Sequence, residues 1–102
     1  MYPPPSQSFF VHQHCLGAMR AKVPLLREAM TRSDEATVRG LARDLRNTLG
    51  LLGLPRLFQL SQDIEYRRAD IDPAVWDGQC LRFCDLLERI HLSLQLQAQA
   101  RN

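Results

Sequence analysis

Apolar residues recur at intervals of three and four along most of this chain, which is the spacing of one face of an α-helix. Alternation of apolar and polar residues, the mark of a half-buried β-strand, does not extend over a useful length. No Asn-Gly or Asp-Gly pair joins two strand-like segments in the way a hairpin turn would. The pattern therefore predicts an all-α fold and excludes the sheet-containing classes.

The first apolar stripe runs from about Ser8 to Thr31 and is interrupted by Pro24. Proline lacks a backbone hydrogen-bond donor, and its ring clashes with the preceding helical turn. We therefore expect a kink, or a split into two helices, near Lys22 or Val23.

Capping, glycine and proline signals bound the next two helices. Asp34 can cap the free amide groups at the start of the second helix. Gly53 can end that helix because glycine tolerates the left-handed conformation. Pro55 then suits the first position of a third helix, which we expect to end near Ala69.

The pair Asp72-Pro73 repeats the start signal for a fourth helix. One apolar stripe follows: Trp76, Cys80, Phe83, Leu87, Ile90 and Leu94. Four amphipathic helices with short links predict an antiparallel four-helix bundle over residues 8–95. An extended lead is expected over residues 1–7, which include three consecutive prolines, and a frayed tail over residues 96–102.

Composition narrows the class of protein. A chain of 102 residues with 45% hydrophobic residues suits one soluble domain and excludes a multidomain enzyme. No segment reaches the ~20 apolar residues of a membrane span, and the start lacks a signal peptide, so a cytoplasmic protein is expected. Free thiols are expected at Cys15, Cys80 and Cys84, because three cysteines in no framework spacing fit a reducing compartment.

Charge and motif content argue against catalysis and against nucleic acid. A net charge of +2 gives little electrostatic attraction for DNA or RNA. The sequence has no glycine-rich phosphate loop, no arrangement typical of a Ser-His-Asp triad and no paired acids in a plausible pocket. We therefore expect neither an enzyme nor a cofactor.

The side of the second helix opposite its apolar stripe is rich in arginine. At ~100° per residue, this side carries six candidate partner-binding residues: Arg39, Arg43, Arg46, Asn47, Gly50 and Leu51. One interpretation is a docking surface for an anionic partner, because guanidinium groups suit carboxylates and phosphates. The other is a solvated face whose charge is balanced by Asp44, Asp63 or Glu65.

Residues 34–65, DEATVRGLARDLRNTLGLLGLPRLFQLSQDIE, resemble the central motif of bacterial histidine-containing phosphotransfer (Hpt) domains. The matching positions fall in register without a gap: Asp34, Val38, Ala42, Leu45, Arg46, Thr48, Leu52, Gly53, Leu57, Ile64 and Glu65. The resemblance implies an Hpt-like four-helix bundle over residues 8–95. It also implies a place in two-component signalling, with a receiver domain or a sensor histidine kinase as the protein partner.

The chain departs from the family pattern at the phosphoaccepting histidine, whose position is held by Arg43. A guanidinium stays protonated and cannot act as the nucleophile that receives a phosphoryl group. The family's small glycine is replaced by Asn47, and its lysine by Arg46. By resemblance, the chain is a pseudo-Hpt domain that regulates its partner without accepting phosphate.

Three histidines and two cysteines allow other chemistry. His12, His14 or His91 is the candidate for a relocated phosphoacceptor. Cys80, Cys84 and His91 offer three zinc ligands, but no fourth is evident and the paired C-x-x-C spacing is missing, so buried thiols are the favoured interpretation.

The apolar N-terminus offers a further alternative. Phe9 and Phe10 either cover the end of the bundle or mark a contact with a second copy or a partner. In the latter case the chain is a helical adaptor for a regulatory protein outside phosphorelays.

Overall fold

Capping contacts fix the boundaries of the second helix. Asp34 accepts hydrogen bonds from the backbone N–H of Thr37 at 3.2 Å and from its hydroxyl at 2.7 Å, and the helix begins at Glu35. Gly53, with a φ of 69°, lies in the left-handed region two residues after Leu51, where the helix ends. Both signals act as the sequence predicts.

The computed structural model describes the backbone of residues 5–100 and the side chains of residues 10–100. Its helices are α1 (Pro5–Thr31), α2 (Glu35–Leu51), α3 (Pro55–Tyr66) and α4 (Pro73–Ala100). No strand occurs within this part of the chain. The all-α prediction with four helices is confirmed.

Of the two alternatives predicted at Pro24, a kink or a split, the split is wrong, because α1 continues through this residue as one helix. Pro24 is exposed, whereas its neighbours Val23 and Leu26 are buried in the core. An interior proline costs about 3 kcal/mol, and burial of two apolar side chains contributes a comparable amount. Packing on both sides of the proline therefore keeps the helix continuous.

The two long helices extend further than predicted. α1 begins at Pro5 rather than Ser8, so the expected extended lead is helical from Pro5 onward, and residues 1–4 lie outside the described chain. α4 continues to Ala100, so the expected frayed tail is helical up to that residue, and residues 101–102 are likewise not described. Apolar side chains near these ends belong to the core or pack against it: Val11, Leu94 and Ala98.

α3 ends earlier than predicted, at Tyr66 rather than near Ala69. Arg67 leaves the helix with φ 17° and ψ 99°. Its guanidinium forms an ion pair with Glu35 and lies 4.8 Å from the ring centroid of Trp76. These contacts with α2 and α4 act on the backbone at the end of α3, and they connect residues far apart in sequence.

The helices contact one another in a ring, since α1 and α3 each pack against both α2 and α4. Arg27 of α1 hydrogen-bonds Asp85 and Glu88 of α4, each at 2.6 Å, while Met30 and Cys80 line one depression. A step towards the start of α1 thus corresponds to a step towards the end of α4, so these two helices are antiparallel. The arrangement is compatible with a helical bundle.

Every helix contributes to the core. The largest fully buried apolar side chains are Phe83, Met19, Leu26, Leu45, Leu49, Ile64 and Leu87. Among the described residues, no helix combines the length and apolarity needed to cross a membrane.

Candidate functional site

Arg43 projects from α2 with 65% of its side chain exposed. Its Nε lies 3.7 Å from Oδ1 of the neighbouring Asp44, which is longer than a hydrogen bond. No other ion pair or hydrogen bond of this guanidinium occurs among the described residues. Its five N–H donors are therefore open to solvent or to a partner.

Contrary to the prediction, the side chain of Arg46 does not face solvent. Its side chain is only 16% exposed and forms an ion pair with Glu65 of α3, whose side chain is 17% exposed. The guanidinium also lies 5.5 Å from the ring centroid of Tyr66, and Nε lies 3.4 Å from Oγ of Ser61. Arg46 sits at the edge of the α2 stripe nearest α3, so its long side chain reaches that helix and connects the two.

Burial and pairing act in opposite directions on the guanidinium of Arg46. Burial, the largest single effect, lowers its pKa, but the hydrogen bonds and charges of Glu65 and Tyr66 together outweigh burial, so the pKa is raised. The group is thus a fixed cation inside the α2–α3 contact.

Arg39 also contacts α3. It is an exposed residue, and its Nε donates a hydrogen bond of 2.6 Å to the backbone carbonyl of Glu65. The balancing interpretation of the arginines is thus correct in part: Asp44 lies beside Arg43, and Glu65 pairs with Arg46. Asp63, the third candidate, instead accepts a hydrogen bond from Gln59, also in α3.

The remaining three predicted site residues are exposed. Asn47 and Gly50 follow Arg43 by four and seven positions and so share its side of the helix, with Leu51 beside them. Leu51 is 54% exposed, which is high for a leucine. We call Arg43, Asn47, Gly50 and Leu51 the open α2 face.

Two small residues extend this surface towards the start of α2. Ala36 and Gly40 line a shallow depression together with Arg39, Arg43 and Glu65. Neither was singled out from the sequence, although their positions, seven and three residues before Arg43, place them on its side of the helix. They leave the backbone beside Arg43 accessible to a partner.

The open α2 face combines one guanidinium, one amide and one apolar side chain. Arginine beside apolar residues is typical of protein–protein interfaces. The guanidinium can donate two parallel hydrogen bonds to a carboxylate or a phosphate, but it cannot accept a phosphoryl group. The arrangement therefore suits recognition of an anion.

None of the three histidines lies on this face. His12 and His14 are in α1, where His14 is exposed and His12 is half-buried. His91 is half-buried in α4, and its Nε2 is buried without a hydrogen-bond partner. A relocated phosphoacceptor at His91 would have one ring nitrogen shielded from an incoming phosphoryl group.

All three cysteines are free thiols with buried side chains. Burial raises the pKa of Cys80 to about 12 and that of Cys84 to about 11, and it also raises the pKa of Cys15. At neutral pH these groups are protonated and serve as small apolar residues of the core. Within the described chain, no three metal-binding side chains come together.

The described N-terminal side chains begin at Phe10, which is exposed, whereas the side chain of Phe9 lies outside the described part. Val11 packs against the core. The open α2 face thus remains the surface with the most candidate chemistry among those singled out from the sequence. Comparison with protein-family models, with curated proteins and with solved structures found no match to this chain.

Proposed function

We propose that the chain is an Hpt-like signalling module of the bacterial cytoplasm that binds a receiver domain or a histidine kinase of a two-component system. In this proposal the open α2 face is the docking surface, and the module regulates its partner without accepting phosphate. The resemblance of residues 34–65 to the Hpt motif suggests the class of partner. The all-helical fold with four helices is compatible with it.

The observation that carries the proposal is the state of Arg43. Its neighbours Arg39 and Arg46 both contact α3, whereas Arg43 is exposed beside Asp44 only. In the Hpt register this is the position that approaches the acidic phosphorylation pocket of a receiver. A charge-assisted pair with a carboxylate there contributes up to ~3 kcal/mol when water is excluded, and less at a wet rim.

The chemistry of the side chain explains why binding would not lead to transfer. A histidine at this position attacks the aspartyl phosphate through a neutral ring nitrogen. Arginine offers donors only, so it can compete for the same pocket but cannot form a covalent bond to phosphorus.

A panel of phosphorylated receiver domains tests the proposal. Wild type is expected to bind at least one receiver and to take up no label, and Arg43→Ala is expected to weaken that complex about tenfold. Arg20→Ala is the matched control, because Arg20 is an exposed arginine of α1 without an ion pair or hydrogen bond in the described chain. Its affinity should stay within about twofold of wild type.

Three outcomes would count against this function. If Arg43→Ala and Arg20→Ala changed the affinity for the receiver equally, Arg43 would have no specific role in docking. Transfer of label to wild type would show a relocated phosphoacceptor, and loss of that label in one His→Gln variant would identify it. Failure to bind any receiver or kinase in the panel would favour an adaptor for a different regulatory protein.

A further inference from the structure

A second candidate surface lies between α3 and α4, away from the open α2 face. A groove of about 720 Å³ runs there, and none of its lining residues belongs to α2. Its apolar part is formed by Leu54, Leu57, Leu60 and Leu86. Leu57 is buried, and the other three are half-buried, so apolar surface remains open to solvent in this groove.

Two arginines flank the apolar part, Arg56 from α3 and Arg82 from α4. Both are exposed, and neither forms an ion pair or a hydrogen bond among the described residues. Arg89 follows Arg82 by seven positions and therefore lies on the same side of α4, also without such a partner. The cations of this surface are unneutralised, in contrast to the paired Arg46.

Among the residues that line the groove, the one negative charge lies at its far end. Asp63 lines the far end of the groove and accepts a hydrogen bond of 3.2 Å from Gln59. Gln79 lines the same end, and its Oε1 is buried without a hydrogen-bond partner. A ligand side chain that donates a hydrogen bond would satisfy this acceptor.

The length of the groove suits a helical ligand. Its α3 wall extends from Pro55 to Asp63, which is about 12 Å at the helical rise of 1.5 Å per residue. Residues i and i+7 of a bound helix are about 10.5 Å apart, so three apolar side chains at i, i+4 and i+7 would fit this length. A helix also satisfies its own backbone hydrogen bonds, which an apolar groove between two helices cannot do for an extended peptide.

We propose that this groove binds an amphipathic helix of a protein partner, with its apolar side chains against Leu57, Leu60 and Leu86 and acidic side chains opposite Arg56 and Arg82. Charge complementarity selects the acidic flanks, because two exposed arginines without an ion pair among residues 10–100 line the groove and the single carboxylate of Asp63 lies at its far end. The surface is independent of the docking role proposed for the open α2 face, so a partner could occupy both.

The test uses a fluorescein-labelled helical peptide of about 15 residues, with leucines at i, i+4 and i+7 flanked by glutamates. Fluorescence anisotropy is expected to show saturable binding to the full chain. The double variant Arg56→Glu/Arg82→Glu is expected to raise the Kd at least tenfold, which corresponds to about 1.4 kcal/mol. Circular dichroism and thermal unfolding establish that this variant is folded, which its exposed positions favour.

Matched variants and peptides make the result specific. Arg20→Glu reverses one exposed charge on α1, which is half of the charge change in the double variant, and it is expected to leave the Kd within about twofold of wild type. A peptide with lysine in place of glutamate should bind at least tenfold more weakly, as should one with serine in place of leucine. Amide chemical-shift changes on peptide binding should centre on Leu60, Arg82 and Leu86.

Several results would overturn the proposal. These are no binding of the glutamate peptide below about 1 mM, equal binding of the lysine peptide, or a loss of affinity in Arg20→Glu as large as that in Arg56→Glu/Arg82→Glu. Self-association of the chain in sedimentation velocity that Arg82→Glu abolishes, without peptide binding, would assign the groove to a second copy instead. This test does not depend on the receiver experiment: if Arg43→Ala bound receivers as tightly as wild type, the expected peptide binding to the groove would be unchanged.

Discussion

Replacing Glu65 by glutamine removes the carboxylate that pairs with Arg46 and leaves a largely buried guanidinium next to a neutral amide. Replacing Arg46 by methionine keeps the aliphatic part of the side chain but removes the charge. The two single variants and the double variant form a thermodynamic cycle across the α2–α3 contact.

The burial of the pair sets the magnitude. Exposed ion pairs contribute about 0.2–1 kcal/mol, whereas removal of one partner from a fully buried pair costs about 3–5 kcal/mol. With side chains 16% and 17% exposed, this pair falls between those limits. We expect Glu65→Gln to lower the free energy of unfolding by about 1.5–2 kcal/mol and the coupling energy to be about 1 kcal/mol.

Chemical denaturation followed by circular dichroism measures all four free energies, and thermal unfolding should show a Tm lower by roughly 6–12 °C in Glu65→Gln. Arg43→Met is the control, because its side chain is 65% exposed and its loss should change stability by less than about 0.5 kcal/mol. A coupling energy below about 0.3 kcal/mol, with Arg46→Met no more destabilising than Arg43→Met, would refute the structural role assigned to the pair.

Three further predictions concern the core, a turn and the thiols. Phe83→Ala empties a fully buried site and should cost about 3–5 kcal/mol in denaturant titration, so a loss below 1 kcal/mol would contradict the packing. Gly53→Ala should destabilise by about 1 kcal/mol because its φ is 69°, whereas Gly17→Ala, inside α1 with no atom near the new Cβ, should be neutral or stabilising by up to about 1 kcal/mol in the same assay. The pKa values of Cys80 and Cys84, about 12 and about 11, lie above the usual 9.0, so the unfolded chain loses its thiol protons first and stability should fall as pH rises above 9. In a pH series of unfolding free energies, Cys84→Ala should reduce this slope by up to about 1.4 kcal/mol per pH unit, and an unchanged slope would contradict the shift.

Local signals in the sequence were sufficient wherever backbone conformation decides the structure. Asp34 caps its helix, Gly53 adopts the left-handed conformation, and prolines 55 and 73 stand at the first residue of α3 and α4. Each of these effects acts within a few residues, so no knowledge of the tertiary structure is needed to predict it.

Predictions failed where contacts between distant residues decide the structure. Pro24 does not split α1, because buried side chains on either side of it hold the helix against its neighbours. Arg67 ends α3 early while it pairs with Glu35 and stacks on Trp76, and neither contact is visible in the local sequence.

The candidate site shows the same division. Helical spacing placed Arg43 and Asn47 correctly on an exposed side of α2. It could not show that Arg46 turns towards α3, because a long side chain at the edge of a helix face reaches either solvent or a neighbouring helix. The groove between α3 and α4 was not anticipated, since its shape depends on how two helices meet.

The ion pairs that join α2 to α3 and α1 to α4 close chain loops of different length, which implies an order of folding. Arg46 and Glu65 are 19 residues apart, whereas Arg27 and Glu88 are 61 apart. Closing the longer loop costs about 1 kcal/mol more in chain entropy, so the α2–α3 hairpin should form before α1 docks on α4. Substitutions at Arg27 should then accelerate unfolding and leave the folding rate nearly unchanged, which stopped-flow kinetics can measure.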